Sequence, residues 1–123
     1  MRLLVDSHVL IWAADRQALL PQRYKDALSA PETEAYVSAA SVLEIGIKRL
    51  AGKLDVPGDL FERALAAGYR ALDITWDHAQ AVEALPLLHK APFDRLLIAQ
   101  AQCEGLTLLT VDRQIAQYDV AIL

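Results

Sequence analysis

Four short, mostly apolar runs constrain the fold most: residues 2–5, 35–37, 71–74 and 106–109, each too short to be anything but a strand and interrupted only by Arg2, Asp73 and Thr107. A half-exposed strand alternates apolar with polar residues, whereas a run apolar throughout is buried on both faces. Helical patterns separate the runs. Two strands that point the same way need a crossover of a dozen or more residues, usually a helix, so the alternation points to a mainly parallel sheet. The expected fold is α/β, a three-layer α/β/α sandwich. Residues 120–122 offer a candidate fifth strand.

The helix signals are local. Asp6 and Ser7 follow the first run and can cap a helix running through Trp12 and Ala14. Pro21 suits a first helical position for a short helix that Pro31 ends. Ser38 can cap a helix from Ala39 to Ala51, stopped by Gly52; Pro57 opens another that closes near Gly68. Thr75 can cap a helix ending before Pro86, and Pro92 begins one that reaches Glu104 and stops at Gly105. No repeat, linker or low-complexity tract interrupts the pattern, so residues 1–123 read as a single domain.

Charge narrows the function. The chain carries a formal net charge of −4 and a pI of about 5.2, which argues against holding nucleic acid by a broad positive field. Contact with RNA phosphates would have to be local, and the basic residues Lys48, Arg49, Lys53, Lys90 and Arg95 are candidates for it. The longest stretch free of charge, residues 35–43, is far short of a membrane span. Asp6 and His8 break the apolar run that a secretory signal would need, and a single cysteine, Cys103, suits a reducing compartment. The expected location is the cytoplasm.

A parallel sheet binds ligands beyond the carboxyl ends of its strands. Asp6 follows the first strand directly and Asp112 lies just beyond the fourth, so both carboxylates belong to that edge. Each alone could be an ordinary helix cap or turn residue. Asp94, in the first turn of a helix, could merely answer the helix dipole. Glu44 has no cap to serve; it either pairs with Lys48 one turn on or points toward the same edge. If the acids converge, their repulsion calls for a cation, and hard oxygen donors select Mg²⁺, with Mn²⁺ as an alternative, over Zn²⁺. The chemistry such a site supports is phosphodiester hydrolysis. His8, His78 and His89 are scattered without ligand spacing and read as packing or surface residues; Trp12 and Trp76 read as core or interface aromatics. The five glycines make no phosphate-binding loop.

Four segments taken together, Leu3-Leu4-Val5-Asp6-Ser7-His8-Val9, Ser38-Ala39-Ala40-Ser41-Val42-Leu43-Glu44-Ile45-Gly46-Ile47-Lys48, Pro92-Phe93-Asp94-Arg95-Leu96-Leu97-Ile98-Ala99-Gln100-Ala101 and Leu109-Thr110-Val111-Asp112, closely resemble the PIN-domain family and, more narrowly, VapC-type toxins of bacterial toxin-antitoxin pairs. The resemblance runs in order along nearly the whole chain. It implies a Mg²⁺-dependent endoribonuclease with Asp6, Glu44, Asp94 and Asp112 as catalytic and metal-binding acids, supported by Ser7 and Thr110. It also implies structured RNA such as tRNA or rRNA as substrate, a homodimer, and a cognate antitoxin in the active-site groove. One departure stands out: relatives commonly carry an acid before the proline, as in His-x-Asp-Pro-Phe-Asp, where this chain has His89-Lys90-Ala91-Pro92-Phe93-Asp94. Two other readings compete. A phosphoacceptor receiver domain also gathers acids at strand ends but needs a late-strand lysine, and no lysine follows Lys90. A degenerate PIN-like domain would bind RNA or a protein partner without cutting.

Overall fold

The computed structural model describes all residues, Met1–Leu123. Four parallel strands, β1 (Arg2–Val5), β2 (Glu34–Ser38), β3 (Arg70–Leu72) and β4 (Thr107–Leu109), form one sheet in the order β3-β2-β1-β4. Six helices surround it: α1 (Ser7–Asp15), α2 (Gln22–Ser29), α3 (Ala39–Leu50), α4 (Leu60–Ala66), α5 (Trp76–Ala84) and α6 (Pro92–Glu104). The three layers follow from β1, where Leu3, Leu4 and Val5 are all fully buried. Leu3 and Val5 face a core shared with α1, α2, α3 and α4 (Val9, Leu10, Tyr24, Ile45, Leu60), while Leu4 faces the opposite core with Leu97, Ile98 and Leu108. Truncating Leu4 opens a cavity at the centre of the second core, so Leu4→Ala should cost about 2–5 kcal/mol, read as a lower midpoint in chemical denaturation with an unchanged slope.

The differences from the sequence expectation lie at element ends and at β3, which as an edge strand leaves Arg70 and Ala71 exposed and is not buried on both faces. Pro21 stands just outside α2 as its cap, with extended backbone. The segment after Pro57 turns helical only at Leu60, three residues later, behind Asp59. The candidate fifth strand shrinks to one isolated parallel bridge, Leu108 with Ile122, because Tyr118 N–H and Val120 N–H close local turns instead. Trp76 is 79% exposed at the start of α5 and belongs to no core.

The strand order fixes where a ligand can sit. From β1 the chain steps outward to β2 and β3, then crosses back to place β4 on the other side of β1. Strand order therefore reverses between β1 and β4, and the crevice lies beyond Val5 and Leu109. The Asp6 N–H donates to the Leu109 carbonyl (3.0 Å), which carries the β1/β4 ladder one step further and seats Asp6 at the floor of that crevice.

Candidate active site

Asp6 is both a helix cap and a pocket residue. Its Oδ1 accepts from the Ser7 N–H (2.7 Å) at the start of α1, and its Oδ2 accepts from the Thr110 hydroxyl (2.8 Å) just beyond β4. Thr110 Oγ1 in turn accepts from the Asp112 N–H (3.1 Å), and Asp112 Oδ1 accepts from the Gln114 N–H (2.9 Å), so one chain of bonds holds both acids beside the two strand ends. The Ser7 hydroxyl donates to Glu44 Oε1 (2.8 Å), drawing the middle of α3 to the start of α1. The two alternatives open for Glu44 turn out to be compatible, since Lys48 Nζ also donates to Oε2 (3.1 Å). Asp94 enters from the first turn of α6, its Oδ2 2.8 Å from His89 Nε2.

The electrostatics show these groups sensing one another. Burial raises the Asp6 carboxyl above the usual carboxylate range, and the nearby Asp94 charge pushes the same way against the bonds from Thr110 and Ser7. Burial likewise raises Asp94, reinforced by the charges of Asp112 and Glu44 and opposed by the bond from His89. Four carboxylates, from the residue after β1, from α3, from α6 and from the segment after β4, therefore sense a common edge. Hard oxygen donors of this kind suit a divalent cation, and the ligand atoms that come within 4.8 Å of one another are those of Asp94, Asp112 and His89, with Asp6 and Glu44 flanking them.

A pH dependence follows with a definite sign. A carboxyl whose folded pKa lies above its unfolded value of about 3.9 binds its proton more tightly when folded. It favours the fold below the unfolded value, and that contribution disappears as pH rises through the raised folded value. In chelator, Asp94→Asn should therefore gain melting temperature relative to wild type as pH climbs from 4 toward neutrality. A constant difference across that range would contradict a raised Asp94 carboxyl, whose main cause is burial.

His89 is the residue at this edge that sequence spacing did not reveal. Its Nε2 lies 2.8 Å from Asp94 Oδ2 and 3.9 Å from Asp112 Oδ2. Its signals in the chain were its place five residues before Asp94 and at the head of the segment that resembles His-x-Asp-Pro-Phe-Asp. His78, by contrast, is fully buried away from the pocket; its Nδ1 accepts from the Thr75 N–H (3.1 Å), which puts the proton on Nε2 facing Glu104 (2.8 Å).

The basic candidates divide. Lys48 stands at the site's margin on Glu44, and Arg49 donates to the Pro57 carbonyl (2.9 Å). Arg95 is committed to the fold: its two terminal nitrogens donate to the carbonyls of Val82, Leu85, Pro86 and His89 and to the Tyr118 hydroxyl, at 2.9–3.3 Å. The phosphate contact expected of Arg95 is therefore corrected to a structural role, because its hydrogen-bonding fork already ties together the segment between α5 and α6. Lys90 is exposed beside it. A groove of about 330 Å³ adjoins Asp112 and is lined by Arg23, Tyr24 and Arg113 among others.

Comparison with known proteins decides the family, as the PIN domain model matches residues 3–121. The chain belongs to the PIN domain family. Solved structures of like fold superpose over nearly its whole length. VapBC2 from Rickettsia felis, bound to a DNA fragment from its promoter, aligns with a TM-score of 0.74 at 16% identity, covering 100% of this chain and 97% of that one. FitAcB from Neisseria gonorrhoeae gives 0.70 at 22%, covering 98% and 96%. DNA-bound VapBC from Salmonella typhimurium gives 0.67 at 15%, covering 99% and 96%. No curated protein matches the chain. At these identities the structural likeness is one of fold, and the PIN fold places its four-stranded parallel sheet as found here. No helix is long and apolar enough to cross a membrane.

Proposed function

We propose that this PIN-domain protein is the toxin of a toxin-antitoxin pair, a VapC-type endoribonuclease that hydrolyses RNA phosphodiester bonds with Mg²⁺, or Mn²⁺ in its place. The observation that supports the proposal is the placement of Asp6, Glu44, Asp94 and Asp112 around the strand-order reversal, near enough that neighbouring carboxylates add to the burial that raises Asp6 and Asp94. A bound divalent cation activates water and offsets charge on the attacked phosphate. The protein's own part is positional: Ser7 and Thr110 aim Glu44 and Asp6 through their hydroxyls, and the Asp112 backbone is fixed by Thr110. RNA phosphates would run along the margin, past Lys48 and Arg49 on one side and the Arg23/Arg113 groove on the other.

The named VapBC and FitAcB structures support a cognate antitoxin as partner. A homodimer is supported by the apolar residues Val42, Leu43, Ile47 and Leu50, which α3 leaves exposed. The substrate is structured RNA of the tRNA or rRNA kind, and the location is the cytoplasm.

The test is cleavage of a structured RNA by purified protein with Mg²⁺, with excess EDTA, and by Asp94→Asn with Mg²⁺. Cleavage only in the first supports the proposal. Ala91, standing where relatives carry an acid, favours the alternative of a domain that binds RNA or a protein partner without cutting. Tight RNA binding with no cleavage under any divalent cation would establish that alternative.

A further inference from the structure

We propose that His89 is itself a metal ligand, so that the centre is a mixed imidazole-carboxylate site that prefers Mn²⁺ to Mg²⁺. The inference rests on the cation-dependent reading above and deepens it by naming a nitrogen donor. His89, Asp94 and Asp112 can each present one ligand atom such that all three lie within 4.8 Å of one another. Donors sharing one ion of this size, each about 2.0–2.3 Å from it, stand up to roughly 4.5 Å apart, so the cluster needs only slight closure.

The imidazole is held there by more than its contact with Asp94. The His89 N–H donates to the Tyr118 hydroxyl (2.8 Å), and the His89 carbonyl accepts from Tyr118 (3.2 Å) and from Arg95 (3.3 Å). Tyr118 is buried and Arg95 is tied to four carbonyls, so the loop presenting His89 is anchored on both sides of its backbone. In the structure Nε2 bridges the space between Asp94 and Asp112. With the proton moved to Nδ1, the same Nε2 offers a lone pair where it now offers a hydrogen, without moving the ring.

The sequence supplies the reason such a donor would matter. Ala91, two residues after this histidine, offers no oxygen donor where the resemblance implies an acid. With one anionic oxygen fewer, a site built only of Asp6, Glu44, Asp94 and Asp112 is weaker for Mg²⁺, which accepts little but oxygen. An imidazole nitrogen adds affinity for first-row transition metals and little for Mg²⁺, so the substitution shifts selectivity rather than simply weakening the site.

Electron spin-echo spectroscopy of Mn²⁺ bound to the purified wild-type protein reads the donor directly. The expected result is ¹⁴N modulation from a coordinated imidazole, lost in His89→Ala, whose Mn²⁺ affinity should fall by 10-fold or more while Mg²⁺ affinity, measured by competition, changes less than about 3-fold. His89→Asn, which keeps a polar group of similar reach, should also lose the modulation. Bound Mn²⁺ without nitrogen modulation in wild type would overturn the inference and leave the carboxylate site standing. An equal loss of Mn²⁺ and Mg²⁺ affinity in His89→Ala would overturn it too, making His89 a residue that only positions Asp94. If neither cation binds wild type, both this inference and the cation-dependent function fail together.

Discussion

Asp6→Asn is expected to lower cation-dependent RNA cleavage on the order of 10³-fold or more while leaving the fold in place. The carboxamide removes a ligand charge from the floor of the crevice but keeps an oxygen that can accept the Ser7 N–H, so the cap of α1 survives. Its NH₂ can donate to Thr110 Oγ1, whose own hydroxyl hydrogen then turns elsewhere. Stability should change by less than about 1 kcal/mol, because the softened cap is offset by removing a buried charge and, to a smaller degree, by relief of repulsion with Asp94. Asp6→Ala would add the loss of the cap, about 1–2 kcal/mol, to the same loss of activity. Single-turnover cleavage and thermal melting on the same preparations separate the two effects. Cleavage within a few-fold of wild type in Asp6→Asn would remove Asp6 from the catalytic set and leave it as a cap.

Arg95→Ala should cause the largest loss of stability of any charged-residue substitution in the chain. The guanidinium serves four carbonyls and the Tyr118 hydroxyl across the turn between α5 and α6, among them the carbonyl of buried Leu85. Hydrogen bonds from a charged donor contribute about 1.5–3 kcal/mol each but share one side chain, so about 3 kcal/mol or more in total is expected, a fall in melting temperature on the order of 10 °C. Arg95→Lys should recover only part, since a single ammonium cannot span the fork's acceptors. A variant melting within a degree or two of wild type, with weaker RNA affinity and a shallower salt dependence, would restore Arg95 as a phosphate contact.

A basic residue beside a candidate catalytic acid looks the same in sequence whether it faces solvent or folds back on carbonyls from positions 82–89, and only the tertiary path brings those carbonyls to it. The sheet was legible because its signal is local: Leu3, Leu4 and Val5 apolar in succession require burial on both faces, and parallel pairing follows. The shared edge of Asp6 and Asp112 was legible for the same reason, since Asp6 follows β1 directly and Asp112 comes three residues after β4. Glu44 could be placed on a helix but not aimed, because its direction depends on Ser7, thirty-seven residues away. His89 was invisible as a neighbour of Asp112, since an irregular loop held by Tyr118 has no periodicity to read. The fifth strand failed where a short apolar run lacked the length to extend a ladder beyond Leu108 and Ile122.

Thermal melting in EDTA and in rising Mg²⁺, across wild type and Asp6→Asn, Glu44→Gln, Asp94→Asn and Asp112→Asn, tests most directly whether the four acids form one cation site. Wild type should climb by linkage, gaining about 2.7 kcal/mol at a hundredfold excess of Mg²⁺ over its dissociation constant. Each carboxamide variant should melt at or near wild type or above it in EDTA, and should gain markedly less from Mg²⁺. A wild type indifferent to Mg²⁺, or four variants that climb in parallel with it, would contradict a shared site and return these acids to separate caps, turns and ion pairs.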